Sequence, residues 1–258
     1  FAKREDVGEI PPGLIFTKCT RCKMEEFQQK TYDTTASDVD DPLERSTSSV
    51  ANIALPGLSK DKKSIIGYRG EDGLNVIKSN LKSNKREYLK LLNKTFFKGK
   101  IKNEDEIIYE SRVTQNITGL LFKKENIKKI STKFYEALDN IDNKIDGKKG
   151  AGTIFVYSNL VKVGIEVFME ILLQNGYLEF REDQNYLISE DTIDYKTGKK
   201  FKDFKKDKER RDFSPATFIR ITGKTDDQED EIPEVKKMIL DKYFNNIENK
   251  EGKFLKII

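Results

Sequence analysis

The strongest constraint on this chain is a pattern that occurs twice and begins a third time. A short, continuous run of β-branched and aromatic residues is followed by a helical stripe. Residues 153–157 read Thr-Ile-Phe-Val-Tyr, and residues 216–222 read Ala-Thr-Phe-Ile-Arg-Ile-Thr. Runs of this kind suit strands buried on both faces, as in a parallel sheet. After the first run, Leu160, Gly164, Val167, Phe168 and Ile171 recur at three-to-four spacing, and Val161, Ile165 and Leu172 widen the stripe. That spacing predicts a helix over 159–174 lying against a sheet and stopped at Asn175-Gly176. After the second run, Pro233 suits a first helical turn, Val235, Ile239 and Tyr243 share a stripe, and Asn245-Asn246 closes it. Residues 254–258 open a third run. Strand, helix, strand, helix, strand is the order of a parallel sheet with right-handed crossovers. The expected fold class is therefore α/β, a parallel sheet with flanking helices.

An insert at 181–214 separates the first helix from the second strand. Its basic residues run from Lys196 to Arg211, interleaved with Tyr195, Phe201, Phe204 and Phe213 and diluted by Asp203, Asp207, Glu209 and Asp212. Such a run reads first as a solvated loop; as a binding element it would be a less specific phosphate contact, its aromatics packing or stacking. Upstream, residues 33–49 are polar and read as a loop, while 88–97 and 127–141 read as helices.

Composition removes several chemistries. The chain has 258 residues and no histidine, so histidine triads and histidine-bearing zinc sites are excluded. Cys19 and Cys22 form the one CxxC, without two further soft ligands for zinc, and read as reduced structural cysteines. The net charge of +4 is small beside 48 basic and 44 acidic side chains, so partner choice rests on local clusters. No apolar run approaches the roughly 20 residues of a membrane span, and no signal-peptide pattern opens the chain. The reading is a soluble, intracellular protein without a membrane partner. The chain opens on Phe1 and ends in the apolar run 254–258, which reads as a piece of a longer protein.

In sheets of this class, ligands bind outside the carboxyl ends of the strands. Those ends carry Ser158-Asn159 and Thr222-Gly223-Lys224-Thr225. Hydroxyls, amides and backbone N–H groups there suit phosphate oxygens. The plainer alternative is that Ser158 caps the next helix and Gly223 permits a turn. Lys162, in the first helical turn, is a weaker candidate of the same kind. The Thr-Gly-Lys-Thr at 222–225 is not a P-loop, because position 218, where that motif needs its first glycine, is Phe. No acid–base pair stands at a strand end, so a small-molecule enzyme is disfavoured.

Read together, "STKFYEALDNI", "GTIFVYSNLVKVGIEVFMEILLQNGY", "FIRITGKT" and "VKKMILDKYFNNIENKEGKFLKII" resemble the start of the second RecA-like lobe of superfamily 2 helicases. "CKMEEFQQKTY" resembles the Swi/Snf-type segment that follows the first lobe. "SSVANIALPG" and "IIGYRGEDGL" are similar to the linker of large-DNA-virus members, of the nucleoside triphosphatase I and early transcription factor small-subunit types, and a giant-virus member is the expectation. The resemblance implies an inter-lobe region over 1–126, a helicase C-terminal lobe from 127 to 258, and motifs five and six beyond 258. It implies an ATP-dependent helicase or translocase in the full-length protein, with ATP and Mg²⁺, and a fragment inactive alone that holds no catalytic or metal residues. Ser158, Asn159, Lys162, Thr222, Gly223 and Lys224 become backbone contacts to nucleic acid, DNA ahead of RNA. Further implied partners are the first lobe and a viral RNA polymerase or transcription factor subunit, in a virion or viral factory during early transcription. A competing reading is a non-enzymatic α/β module that docks transcription machinery.

Overall fold

The computed structural model describes residues 19–38, 45–145, 152–205, 210, 212–222 and 232–258. The chain begins with two helices, α1 (Glu26–Asp38) and α2 (Arg45–Asn52), then an antiparallel hairpin of β1 (Leu55–Leu58) and β2 (Ile65–Tyr68). Helices α3 (Gly70–Ser83) and α4 (Lys85–Phe97) follow, then a two-residue ladder of β3 (Tyr109–Glu110) and β4 (Ile117–Thr118), and helices α5 (Lys124–Ile127) and α6 (Thr132–Ile145). The hairpin is gripped on both sides. A side chain on Gly73 of α3 would meet Leu55 Cβ at 2.9 Å, and one on Gly67 of β2 would collide with Thr31 Oγ1 of α1. Tyr88 of α4 is fully buried and donates its hydroxyl to the Pro56 carbonyl at 2.6 Å.

Gln28 stitches this region together. Its side-chain amide donates to the Val50 carbonyl at 2.9 Å and the Ala51 carbonyl at 3.3 Å. Its oxygen accepts from Thr132 N at 3.1 Å and Thr132 Oγ1 at 2.9 Å. One fully buried side chain therefore binds the end of α2 to the start of α6.

The three apolar runs lie side by side in one parallel sheet, with a fourth segment added. Ile154 pairs with Ile257, Ile257 with Phe218, and β6 (Thr217–Phe218) with β5 (Leu178–Glu179), all parallel. Across the sheet the order is 154, 257, 218, 178, so the last segment in the chain is inserted next to the first. The ladder includes Ile154 N to Lys256 O at 2.8 Å, Ile219 N to Ile257 O at 2.9 Å and Phe180 N to Phe218 O at 2.8 Å. Lys256 N and Ile257 N both donate to the Thr217 carbonyl at 3.0 Å. This is a bulge, and it sends Leu255 and Ile257 into different apolar clusters.

Helix α7 (Val167–Gln174) joins the first segment to β5, and α8 (Glu234–Ile239) precedes the last. Phe168, Ile171 and Leu172 of α7 pack with Phe218 and Ile257 in a core that runs continuously back to Ile53 and Leu55. On the other side, Ile239 of α8 packs with Phe180, Ile219 and Leu255.

Several local expectations change. The stretch 33–49 is not one loop, because α1 extends to Asp38 and α2 starts at Arg45. Gln28 and the α1–β2 contact supply tertiary anchors that a polar composition does not show. The helix expected over 127–141 is broken, since α5 ends at Ile127 and Ser131 Oγ caps α6 by accepting from Phe134 N at 3.0 Å. The helix expected over 159–174 opens as a π-helical turn over Val161–Glu166. The stripe through Tyr243 continues α8 as a second π-helical segment, Leu240–Phe244, and Pro233 sits one residue before the helix rather than inside it. Strand β5 lacked an apolar run to announce it.

Candidate nucleic-acid interface

The first strand ends in a turn built by Ser158. Leu160 N donates to Ser158 Oγ at 3.2 Å, and the same hydroxyl reaches the Leu160 carbonyl at 3.3 Å. The chain then enters a π-helical turn, with Ile165 N donating to Leu160 O at 3.0 Å. Gly164 is required here, because a side chain at that position would collide with Ser158 Oγ. Ser158 is thus not a helix cap, since the cap position is Leu160 and no side chain bonds it. It folds the strand end back over the first helical turn and leaves Asn159 exposed beside it. π-turns of this kind occur preferentially at functional positions.

Ser158, Asn159 and Thr222 line one open cleft of about 690 Å³ at the carboxyl ends of the 154, 218 and 257 segments. Its floor is apolar and includes Phe168, Phe218 and Ile257. Gly223 and Lys224 lie outside the described residues. Lys162 is not in this cleft. Its ammonium pairs with Glu166 at 3.2 Å, and it lines a smaller cleft of about 210 Å³ with Glu71, Lys78 and Asn116. Glu166 also takes Arg220 at 3.5 Å, so one carboxylate is shared by both cations.

The cleft has two residues that the sequence reading placed in a core. Residues 153–157 were expected to be buried on both faces, yet Phe155 is 73% exposed and Tyr157 is 78% exposed. Ile154 and Val156 pack against the main core, while the opposite face of this segment stays open. The reason is coverage. Helix α7 backs one face; among the described residues, the α8 cluster gathers Phe180, Ile219, Leu255 and Ile258 and leaves Phe155 and Tyr157 outside it. Two uncovered rings next to Ser158-Asn159 are what a stacking platform beside a phosphate contact requires. The period-two alternation was concealed because both faces of the run are apolar.

Lys206, Lys208 and Arg211 lie outside the described residues; among those described, the aromatic side chains and several cations of the basic insert are committed to the insert itself. Phe213 packs edge-on against Phe201 at 5.0 Å and against Phe204 at 5.4 Å. Arg210 donates to the Phe204 carbonyl at 2.9 Å. Asp191 receives Lys202 at 2.9 Å and Lys200 at 3.1 Å, with Lys123 at 3.6 Å. Hydrogen bonds from Lys202 and Lys200 hold that carboxyl far below the usual carboxylate range. These aromatics pack rather than present open faces.

One buried cation stands in the sheet itself. Lys256 has no exposed surface and donates to the Glu251 carbonyl at 2.7 Å, and burial pushes its amine down to about 8. Burial likewise raises the Cys22 thiol. Among the described residues no three His, Cys, Asp or Glu side chains converge as a metal cluster. Phe218, where a P-loop needs its first glycine, is a buried residue of β6, so the described residues do not fit a triphosphate cradle. Among the described residues, no helix is long and apolar enough to cross a membrane.

With this geometry in view, comparison with known proteins gives one informative similarity. The chain is 43% identical, over 265 aligned residues and its whole length, to a protein of Acanthamoeba polyphaga mimivirus named "Putative ATP-dependent RNA helicase L377". The chain spans 23% of that relative's length. No protein-family model matches the chain, and no solved structure matches it. The chain is therefore similar, from end to end, to about a quarter of a giant-virus protein named as a helicase.

Proposed function

We propose that this chain is part of an ATP-dependent RNA helicase or translocase and supplies the strand-gripping face of its second RecA-like lobe. The observation that carries the reading is the parallel sheet whose carboxyl ends deliver Ser158, Asn159 and Thr222 to one cleft, next to exposed Phe155 and Tyr157. Similarity along the whole chain to a mimivirus protein named as an RNA helicase supports it. RNA takes the place of the DNA track favoured by the sequence reading, because that name specifies RNA.

In this reading, residues 1–126 join two lobes and residues 127–258 open the second. ATP and Mg²⁺ belong to the whole protein, in the cleft between the lobes. This chain's own residues orient and hold the strand: turns at the strand ends meet phosphate oxygens, and the exposed rings stack bases. Closure of one lobe on the other then carries that grip along the strand. A setting in viral transcription, with a polymerase or transcription factor subunit as neighbour, is part of the proposal.

The apolar floor of the 690 Å³ cleft favours a second reading, a module that docks a protein partner. Salt separates the two. Binding of oligouridylate by the 258-residue chain should weaken steeply as salt rises. Tyr157→Ala should weaken it about tenfold through loss of one stacked base, and Ser158→Ala should weaken it less. Binding indifferent to salt and to both substitutions removes the helicase reading and leaves the docking one.

A further inference from the structure

We infer that Lys133, positioned by Asn52, forms a phosphodiester subsite beside the strand-end cleft, reached from helices α2 and α6 rather than from the strand-end turns. This rests on the proposed function and adds a residue to its grip. A cleft of about 270 Å³ opens where Asn52, Lys133, Tyr157, Ser158, Asn159 and Gly164 meet. It shares Tyr157, Ser158 and Asn159 with the larger cleft, so the two are continuous around the Tyr157 ring.

The charges decide which cleft takes an anion. The 210 Å³ cleft has Lys78 and Lys162 opposed by Glu71 and Glu166, so a phosphate there meets two carboxylates. The large cleft contains Arg220, whose guanidinium leans on Glu166. In the third cleft Lys133 is the only ionisable cation and no carboxylate lines the wall. Among the described residues, no carboxylate lies within ion-pair distance of Lys133; the nearest acid of its own turn, Glu136, makes no ion pair with it.

The lysine is held in place. Its ammonium donates to Asn52 Oδ1 at 2.7 Å, and Asn52 is 4% exposed, its backbone carbonyl accepting from Ser131 Oγ at 2.5 Å. An ammonium carries three donors, so two are free to meet phosphate oxygens while the amide fixes its direction. Asn159, exposed on the opposite wall, can donate to the same group. Tyr157 lines both clefts, so a base stacked on its ring would lie beside the small one. Sequence spacing hid this residue, because Lys133 precedes the first strand by a full helix and reads as a solvated helical lysine.

The test measures anisotropy of fluorescein-labelled oligouridylate and of the same-length oligodeoxythymidylate, across a salt series, with the 258-residue chain and three variants. Lys133→Ala should bind RNA about fivefold more weakly at low salt, and its log–log salt slope should be smaller by about 0.7, one lost single-strand phosphate contact. Lys133→Arg should keep both close to the parent, and Lys85→Ala, at a lysine of α4 paired with Asp105, should leave the slope unchanged. Lys133→Ala also strips buried Asn52 of its donor, so thermal midpoints are measured alongside, and Lys133→Arg, which keeps a cationic donor there, separates lost binding from lost stability. An unaltered slope in Lys133→Ala, or an equal loss in Lys85→Ala, overturns the subsite while the parent's own salt-dependent binding keeps the broader reading. A parent that binds neither oligonucleotide overturns both.

Discussion

The hairpin region and the parallel sheet use similar apolar runs to opposite ends. In β1, all four residues are buried under α3 and α4, and glycines let the elements touch without intervening side chains. In the run at 153–157, every second residue is open and two aromatic rings face solvent. Among the described residues, a run of similar apolarity is core where helices cover both faces and half exposed where they cover one. Coverage, rather than residue type, separates the stabilising part of the molecule from the part that can meet a ligand.

The largest expected effect comes from exchanging a ring in each region. Tyr88→Ala removes a fully buried side chain and its bond to Pro56, and should lower unfolding free energy by about 4 kcal/mol in urea. Tyr157→Ala should change it by less than about 0.5 kcal/mol while weakening RNA. Equal losses at both positions break the contrast.

A smaller effect sharpens the contrast within the sheet, at its buried cation. Burial lowers the Lys256 amine to about 8, against 10.5 for a lysine free in water. Below pH 8 the amine is charged in both states and the folded state bears the cost. Between pH 8 and about 10 the folded state gives up its proton first, so unfolding takes a proton up and stability rises with pH. The full shift corresponds to about 3 kcal/mol as an upper bound. Lys256→Met should flatten that rise in urea midpoints measured from pH 7 to 10; a parent profile already flat there contradicts the assignment.

The smallest of the three lies at Gln28. Gln28→Ala leaves two carbonyls and Thr132 without partners in a buried place, worth about 2 kcal/mol. Hydrogen exchange should report the loss first in α1 and α2, with the 154–257 pairing unaffected. Faster exchange in the sheet instead would show that the two regions share their stability more fully.

The sheet was legible because residues 153–157, 216–222 and 254–258 carry dense β-branched and aromatic content between clear helix stops. Asn175 stops its helix as read, and it also accepts from Lys124 N at 2.8 Å, a tertiary role that spacing does not encode. Strand β5 was missed because Leu178-Glu179 is too short for periodicity and owes its strand form to pairing with β6. Reading 33–49 as a loop overlooks the end of α1, a helix anchored through Gln28 and Thr31 in its first half rather than through an apolar stripe. At the site, Ser158, Asn159 and Thr222 follow from their place at strand ends. The pairing of Lys162 with Glu166 is a local i,i+4 contact that spacing encodes, whereas the openness of Phe155 and Tyr157 does not follow from spacing, since it depends on which described elements pack over the run.

The most direct measurement is photocrosslinking of 4-thiouridine RNA to the chain, with the modified peptides mapped by mass spectrometry. The account places the crosslinks at Phe155 and Tyr157, on the segment that ends in Ser158-Asn159, and none in the β1–β2 hairpin. Crosslinks confined to the hairpin or to the insert around Phe201 and Phe213, with 153–159 unmodified, contradict it.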